Sequence, residues 1–523
     1  MARLFDDPTP APAAAHAKVL ADDPADRRTA ANTHPPTWVN PSPAGRYNLV
    51  VVGGGTAGLV SAAGAGLLGA KVALVERGFT GGDCLVTGCV PSKAVIRAAR
   101  AAADVRDAGR FGVQIPRPVV VDFAAAMTRM RQARAAISAH DAAARFRDEW
   151  GVDVYYGDAR FVGPDAVEVD GARLEFRKAV IATGSRPAVP DVPGLAEVGC
   201  LTNETVFNLT DRPPRLAVVG GGPIGCELAQ AFARLGSRVT VVQKAGQFLP
   251  REDREAADLL ADVFAREGID VHLAATVERV EAAAGGVKVL HVKGERGAVR
   301  VEAEAVLVAT GRKPNVEGLG LEAAGVRVGP GGVVVDDFLR TSNRRVYAAG
   351  DVCLPWRFTH MADASARVAV QNALLPLPGP FRKRVSRLVV PWCTYTDPEV
   401  AHVGLYEREA REKGVETETV RVSLADVDRA VTDGETDGFL KVLLLRGSDR
   451  ILGATLVARH AGEVISEITT AMVAGVGLKR LAEVIHPYPT QAEVIRMAAD
   501  AYFRRSLGSR TRGLVRGWLR WRL

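Results

Sequence analysis

The chain reads as an α/β protein built from two Rossmann-like dinucleotide-binding domains in series, with a third α/β domain behind them. Three observations lead there. A buried apolar strand, a glycine turn and a helix occur twice, with the turns at Gly53–Gly58 and Gly220–Gly225. Each copy is followed later by an apolar strand ending in Ala-Thr-Gly, at Ala182–Gly184 and Ala309–Gly311. From about Leu388 the texture changes to strands and helices with no glycine fingerprint. At 523 residues the chain is too long for one domain, so a serial arrangement is expected.

Taken in order, residues 1–46 are rich in Pro, Ala and Asp and read as an extension draped on, or hanging off, the first domain. Asn48–Val52 is a buried parallel strand, and Lys71–Val75 a second one that ends at Glu76. Val95 to Trp150 has helical spacing, which makes Met127 and Met130 core residues. The second copy repeats this grammar with Arg215–Val219, an amphipathic helix and Arg238–Val242. Gly53 and Thr183 are 130 residues apart but Gly220 and Thr310 only 90, the excess matching a cysteine segment and the helical insertion. Phe439–Leu445 then reads as a strand, and Ala461–Ala474 and Gln491–Phe503 as helices. The division expected is an extension at 1–46, a first nucleotide domain at 47–189 and 315–387, a second at 190–314, an interface domain at 388–503 and a basic tail at 504–523.

Composition removes several function classes. The net charge of +7 equals the seven arginines of residues 501–523, which contain no acid, so the body is neutral and no nucleic-acid partner is expected. Leu49–Ala70 is 22 residues without a charge, enough to span a bilayer. Its seven glycines fit a strand, turn and helix better. Six cysteines in so long a chain make no disulfide framework, no export segment is expected, and a reducing cytosol is the expected address. In the tail, Leu514, Trp518 and Trp521 share one side of a helical wheel, with Arg512, Arg516 and Arg520 opposite. That pattern suits an anionic bilayer surface as well as a solvated tail or a dimer strap.

In a strand–turn–helix context, Gly53, Gly55 and Gly58 let the backbone approach a pyrophosphate at a helix N-terminus, and Glu76 can hold ribose hydroxyls. The second turn supplies Gly220, Gly222 and Gly225, but its second strand ends in Gln243-Lys244 rather than an acid. An absent carboxylate and a nearby cation suit a 2′-phosphate, which favours NADPH over NADH. Cys84-Leu-Val-Thr-Gly-Cys89, just beyond the first βαβ unit, can close a small disulfide ring at a helix start carrying Pro91 and Lys93. The plain alternative is a pair of buried packing residues. No zinc site is expected, because two further ligands at short spacing are missing.

Gly81–Cys84 and Gly88–Lys93, with both fingerprints, both Ala-Thr-Gly strands and Ala349-Gly-Asp351 in order, resemble the pyridine nucleotide-disulfide oxidoreductases. The resemblance runs from about Tyr47 to Phe503, although Asp83 and Val86-Thr87 depart from the commoner residues. It implies FAD on the first fold, near Gly53, Gly55, Thr56, Ala57, Gly58, Glu76, Lys93, Thr183, Gly184 and Asp351. It implies NAD(P)H on the second, near Gly220, Gly222, Ile224, Gly225, Lys244 and Gly311. Cys89 would face the flavin, Cys84 would be the interchange thiol, and Lys93 would pair with Glu227. A homodimer is implied, its C-terminal dimerisation domain completing the partner's site.

Disulfide-reducing members place a His five residues before a Glu. Counting back five from Glu493 reaches Tyr488, and His486 lies two residues early. A Tyr here, with Ala229–Gly236, resembles the mercuric reductase branch. The tail has no cysteine pair and residues 1–46 no Cys-x-x-Cys such as that branch uses to pass metal. Cys200, Cys226, Cys353 and Cys393 are scattered and read as packing residues. The expected activity is NAD(P)H oxidation with reduction of Hg(II) or another soft thiol-reactive substrate. Alternatives are a dihydrolipoamide dehydrogenase or other disulfide reductase using His486, and, in another class, a redox-sensing interaction protein at a membrane surface.

Overall fold

A computed structural model describes residues 19–116, 118–295, 297–506 and 509–523. The chain forms two compact units, Met1–Lys244 with Gly268–Leu388, and Ala245–Glu267 with Val389–Leu523.

In the first unit, helix α1 (Pro24–Thr33) starts on the Asp23 side chain, which accepts the Asp26 amide. Strand β1 (Tyr47–Val52), helix α2 (Thr56–Leu67) and strand β2 (Val72–Glu76) make a parallel βαβ unit with Val50 opposite Ala73. Helices α3 (Gly82–Val86) and α4 (Cys89–Asp107) follow, and α5 (Phe123–Ser138) packs on α1 and α4. The helical stretch to Trp150 is thus broken into α4, α5 and Ala143–Trp150, with Met127 and Met130 fully buried. Beside β2 lies Val152–Tyr156, and beyond β1 come Ala172–Ile181 and Val346–Ala348, every neighbouring pair parallel. Strands covered on both faces must be apolar, hence the runs Leu49–Val52 in β1, Val72–Val75 in β2 and Ala179–Ile181 in their neighbour.

A second parallel sheet has the order Asp270–His272, Arg238–Val242, Arg215–Val219, Ala305–Val308. Both sheets meet their glycine turns in the same way. At Gly53 (φ +105°) a Cβ would lie 2.4 Å from the Ala182 carbonyl oxygen, and at Gly220 (φ +110°) 2.5 Å from that of Ala309. This backbone contact is why each turn opens on a glycine where the later strand ends. The two folds are joined by an antiparallel pair, Ser185–Pro187 with Arg312–Pro314, and Asn315 Nδ2 donates to the Thr183 carbonyl at 2.9 Å.

Of the extension, the described residues from 19 onward lie against the first sheet. Asn40 exchanges two hydrogen bonds with the Tyr156 backbone (2.7 and 2.8 Å), and Trp38 Nε1 donates to Val154 O at 3.0 Å, both on a sheet edge. Leu49–Ala70 is strand, turn and helix, and no helix among the described residues is long and apolar enough to cross a membrane.

The second unit is a five-stranded antiparallel sheet in the order Pro391–Thr394, Glu399–Gly404, Ile451–Ala458, Phe439–Leu445, Thr417–Ser423. Helices Ala461–Ala474 and Glu493–Ser506 complete its core, and the tail forms a further helix, Ser509–Trp521. Residues 245–267, placed with 190–314 in the sequence reading, group with this unit. Buried Glu252 explains this, accepting the Trp392 indole N–H at 2.7 Å and the Tyr406 hydroxyl, while Lys441 Nζ bridges Asp253 (2.9 Å) and Glu255 (3.0 Å). Side-chain bonds from so far along the chain leave no periodic trace.

A Cβ at Gly58 or Gly225 would sit 1.7 or 1.9 Å from the carbonyl oxygen of Gly53 or Gly220. Gly58→Ala and Gly225→Ala are therefore each expected to destabilise the first unit by about 3 kcal/mol. Thermal unfolding of either variant checks this, and an unchanged midpoint would refute the turn geometry.

Candidate active site

The dithiol segment owes its shape to small residues. Gly81 takes φ +91° ahead of α3, and a Cβ on Gly88 would lie 2.7 Å from the Asp83 carbonyl oxygen, so α3 closes back tightly on the start of α4. Cys84 and Cys89 are half-buried free thiols. A hydrogen bond from the Cys84 thiol, supported by the Thr359 hydroxyl and the Lys93 ammonium, lowers Cys89 to about 6 against the opposing effect of burial. The same bond, with burial, raises Cys84. The pair thus shares one proton, with the thiolate at Cys89.

Thr359 Oγ1 lies 3.1 Å from Cys89 Sγ at the first turn of helix Thr359–Leu374, and sequence reasoning missed it. It is 270 positions from Cys89. Only its place after Asp351, at a helix start, hinted at a role. Lys93 Nζ stands 2.8 Å from Glu227 Oε2, bringing α4 and the helix Pro223–Arg234 together. Asp83, the departure noted beside Cys84, accepts from Thr87 Oγ1 (2.7 Å) and Asn203 Nδ2 (2.8 Å) and pairs with Arg312 Nη2 at 3.0 Å. Arg312 also donates to the Ser185 hydroxyl, which donates in turn to Asp351 Oδ2, both at 2.7 Å. Arg312 was another omission; it sits directly after the second Ala-Thr-Gly.

The nucleotide turns fit their expected groups. Gly55 and Gly222 precede the helices Thr56–Leu67 and Pro223–Arg234; a Cβ on Gly55 would meet nothing nearer than 3.8 Å, and one on Gly222 nothing within 4 Å. That open space before a helix N-terminus is where a pyrophosphate is cradled. Thr56 and Ala57 open the first helix, and half-exposed Ile224 lies in the second. Gly184 (φ +65°) and Gly311 (φ +135°) turn the chain after each sheet, and Thr183 Oγ1 donates to Asn315 O at 2.7 Å. The Glu76 carboxylate accepts the Gly54 and Gly78 amides at 2.5 and 2.6 Å. In the second copy Gln243 Oε1 accepts Gly221 N at 3.0 Å, so a neutral amide holds the place of Glu76, and Lys244 beside it is exposed.

In the second unit Tyr488, His486 and Glu493 each bond a different residue. Tyr488 is 71% exposed and its hydroxyl donates to Asp428 Oδ2 at 2.8 Å. Glu493 opens its helix and pairs with Arg496, one turn on. The His486 side chain is 5% exposed, its Nε2 3.0 Å from Glu467 Oε2. Asp428 and Glu467 lie outside the counted motif, so spacing could not reveal them. Of the other cysteines Cys226 is buried, while Cys200, Cys353 and Cys393 are half-buried.

Two nucleotide turns and a dithiol with an ionised thiol define a two-electron oxidoreductase. The chain belongs to the pyridine nucleotide-disulphide oxidoreductase family, residues 47–373 matching its main domain and 390–499 its dimerisation domain. It is thus a FAD-dependent oxidoreductase of pyridine nucleotides. It is 38% identical over 467 residues to mercuric reductase from Streptomyces lividans, covering 87% of this chain and 96% of that one. Dihydrolipoyl dehydrogenase from Chlamydia muridarum is 34% identical, with 86% and 95% covered. The Cu(II) complex of the HOCl-induced flavoprotein disulfide reductase RclA from Escherichia coli superposes with a TM-score of 0.77 at 29% identity, covering 88% and 100%.

In the reduced protein, alkylation of Cys89 is expected to fall away as pH drops through about 6, where its thiolate takes up a proton. Thr359→Val should move that midpoint up by roughly one pH unit. Peptide mapping of alkylation against pH checks both; a parent midpoint above 8 would sink the assignment.

Proposed function

We propose that the protein is a cytoplasmic homodimer that oxidises NADPH and reduces Hg(II) or a comparable soft, thiol-reactive metal ion. The exposed Tyr488 phenol carries this reading. Reducing a disulfide requires a proton for the departing thiolate. The hydrogen bond to Asp428 raises Tyr488 above its ordinary value near 10, making it a still weaker acid at neutral pH. A thiophilic metal has no such need, because it displaces the thiol proton when it binds. The mercuric reductase relatives, and the Cu(II) held by the structural neighbour, agree with a metal substrate.

Bound FAD supplies the two-electron relay between nicotinamide and dithiol. The chain's own residues do the rest. Glu227 fixes Lys93, and Lys93 with Thr359 holds negative charge at Cys89. Cys84 keeps the shared proton until the metal takes its sulfur, and with no cysteine pair in the tail the metal would reach it directly as a small thiol complex. Neutral Gln243 with exposed Lys244 favours the 2′-phosphate of NADPH. Overall, NADPH and Hg(II) give NADP+, one proton and elemental mercury.

Anaerobic NADPH oxidation is expected with Hg(II) and excess thiol but not with oxidised lipoamide, and faster than with NADH. Tyr488→Phe should slow the mercury reaction by about tenfold. Turnover with lipoamide alone, lost in His486→Gln, would replace this reading with a disulfide reductase.

The tail supports a second role. Leu514 (77% exposed), Trp518 and Trp521 (82%) stand out from the helix Ser509–Trp521, whose last turn carries Arg520 and whose sequence contains no acid. Tryptophan and arginine so placed suit an anionic lipid surface. The full chain should pellet with phosphatidylserine vesicles and Trp518→Ala/Trp521→Ala should not; equal pelleting removes the membrane role.

A further inference from the structure

We infer that the N-terminal segment Val19–His34 is a strap that seats the dithiol loop, with Asp26 and Arg134 as positioning residues for Cys84 and Cys89. The inference rests on reading those cysteines as the redox pair. Asp26 and Arg134 are wholly buried, paired at 2.5 Å between α1 and α5. The other end of the same guanidinium, Nη1, donates to the carbonyl oxygen of Val86 at 2.7 Å, inside the Cys84–Cys89 ring. Arg134 therefore bridges the strap to the loop, and a planar, permanently charged fork can hold both acceptors at once. Apolar contact runs in parallel: Leu20 and Ala30 of the strap cluster with Phe79, Leu85 and Val86, the last two lying between the cysteines. At the far end Thr80 N donates to Thr33 O (2.9 Å), and His34 Nδ1 donates to Gly78 O (2.6 Å), fixing the backbone that leads into the loop.

A ring closes readily when its two sulfurs are held together, so the strap raises their effective concentration and favours the disulfide. Loosening it should weaken both disulfide formation and the Cys84–Cys89 hydrogen bond. Neither effect requires the strap to touch substrate.

The test is a redox titration of the full-length holoenzyme against thiol buffers, read by mass-tagging of Cys84 and Cys89. Asp26→Asn and Leu20→Ala should each shift the dithiol–disulfide equilibrium at least tenfold toward the dithiol, about 30 mV. The Cys89 alkylation midpoint should rise in both. Asn32→Ala, which removes only the bond from Asn32 Nδ2 to Ser138 Oγ in the same strap, should leave both readouts at parent values. Should Asp26→Asn fail to fold because Arg134 loses its buried partner, Leu20→Ala decides alone. Unchanged equilibria and midpoints in a folded variant would reduce the strap to a stabilising element. Absence of any two-electron thiol couple in the parent would instead overturn the redox-pair reading itself.

Discussion

The nucleotide ends of both folds depend on one steric constraint, a carbonyl oxygen occupying the place where a side chain would begin. Ala182 and Ala309 press against Gly53 and Gly220, and those glycines press against Gly58 and Gly225. Each helix can then start close behind its strand with its first amides turned toward open space. From that one contact follow the placement of Glu76 and Gln243 at the next strand end and the crossover through Asn315.

Around the cysteines the constraint is electrostatic. A thiolate half out of water needs compensation, and four groups provide it: the Cys84 thiol, Thr359, Lys93 and the start of the helix Thr359–Leu374. Asp83 works against them, one residue from Cys84. Its pairing with Arg312, itself tied to Ser185 near Asp351, confines that negative charge to a local network. The redox loop and the expected flavin-side carboxylate therefore share one arginine, contributed by the strand pair that links the two nucleotide folds.

What could be read from sequence was what proximity along the chain encodes. The glycine turns, the apolar strands, the strand end at Glu76 and the cysteine segment are each defined within about 25 residues, and the strands and the helix starts beside them lie at those positions. Thr359, Arg312 and Arg134 reach Cys89, Asp83 and Val86 from 229 to 270 positions away or from an insertion with no motif of its own, leaving no periodicity to find. The helix Arg254–Arg266 shows the same limit: its amphipathic pattern names a buried face, but Glu252 and Lys441 settle which body that face belongs to. His486, Tyr488 and Glu493 are related in the chain by spacing alone, and each bonds a residue outside that spacing, Glu467, Asp428 and Arg496.

On the function proposed above, these partners bear on chemistry. A catalytic acid must be exposed to the reacting atom and able to release its proton near neutral pH. His486 is enclosed and bonded to Glu467; Tyr488 is exposed, but Asp428 makes it hold its proton more tightly. Neither combines access with acidity. A disulfide substrate would expel a thiolate with no donor ready in this loop, whereas a soft metal ion exchanges one sulfur ligand for another and releases the proton already on the attacking thiol. The loop is thus better matched to ligand exchange than to acid catalysis, and the proton balance of the substrate step separates the two.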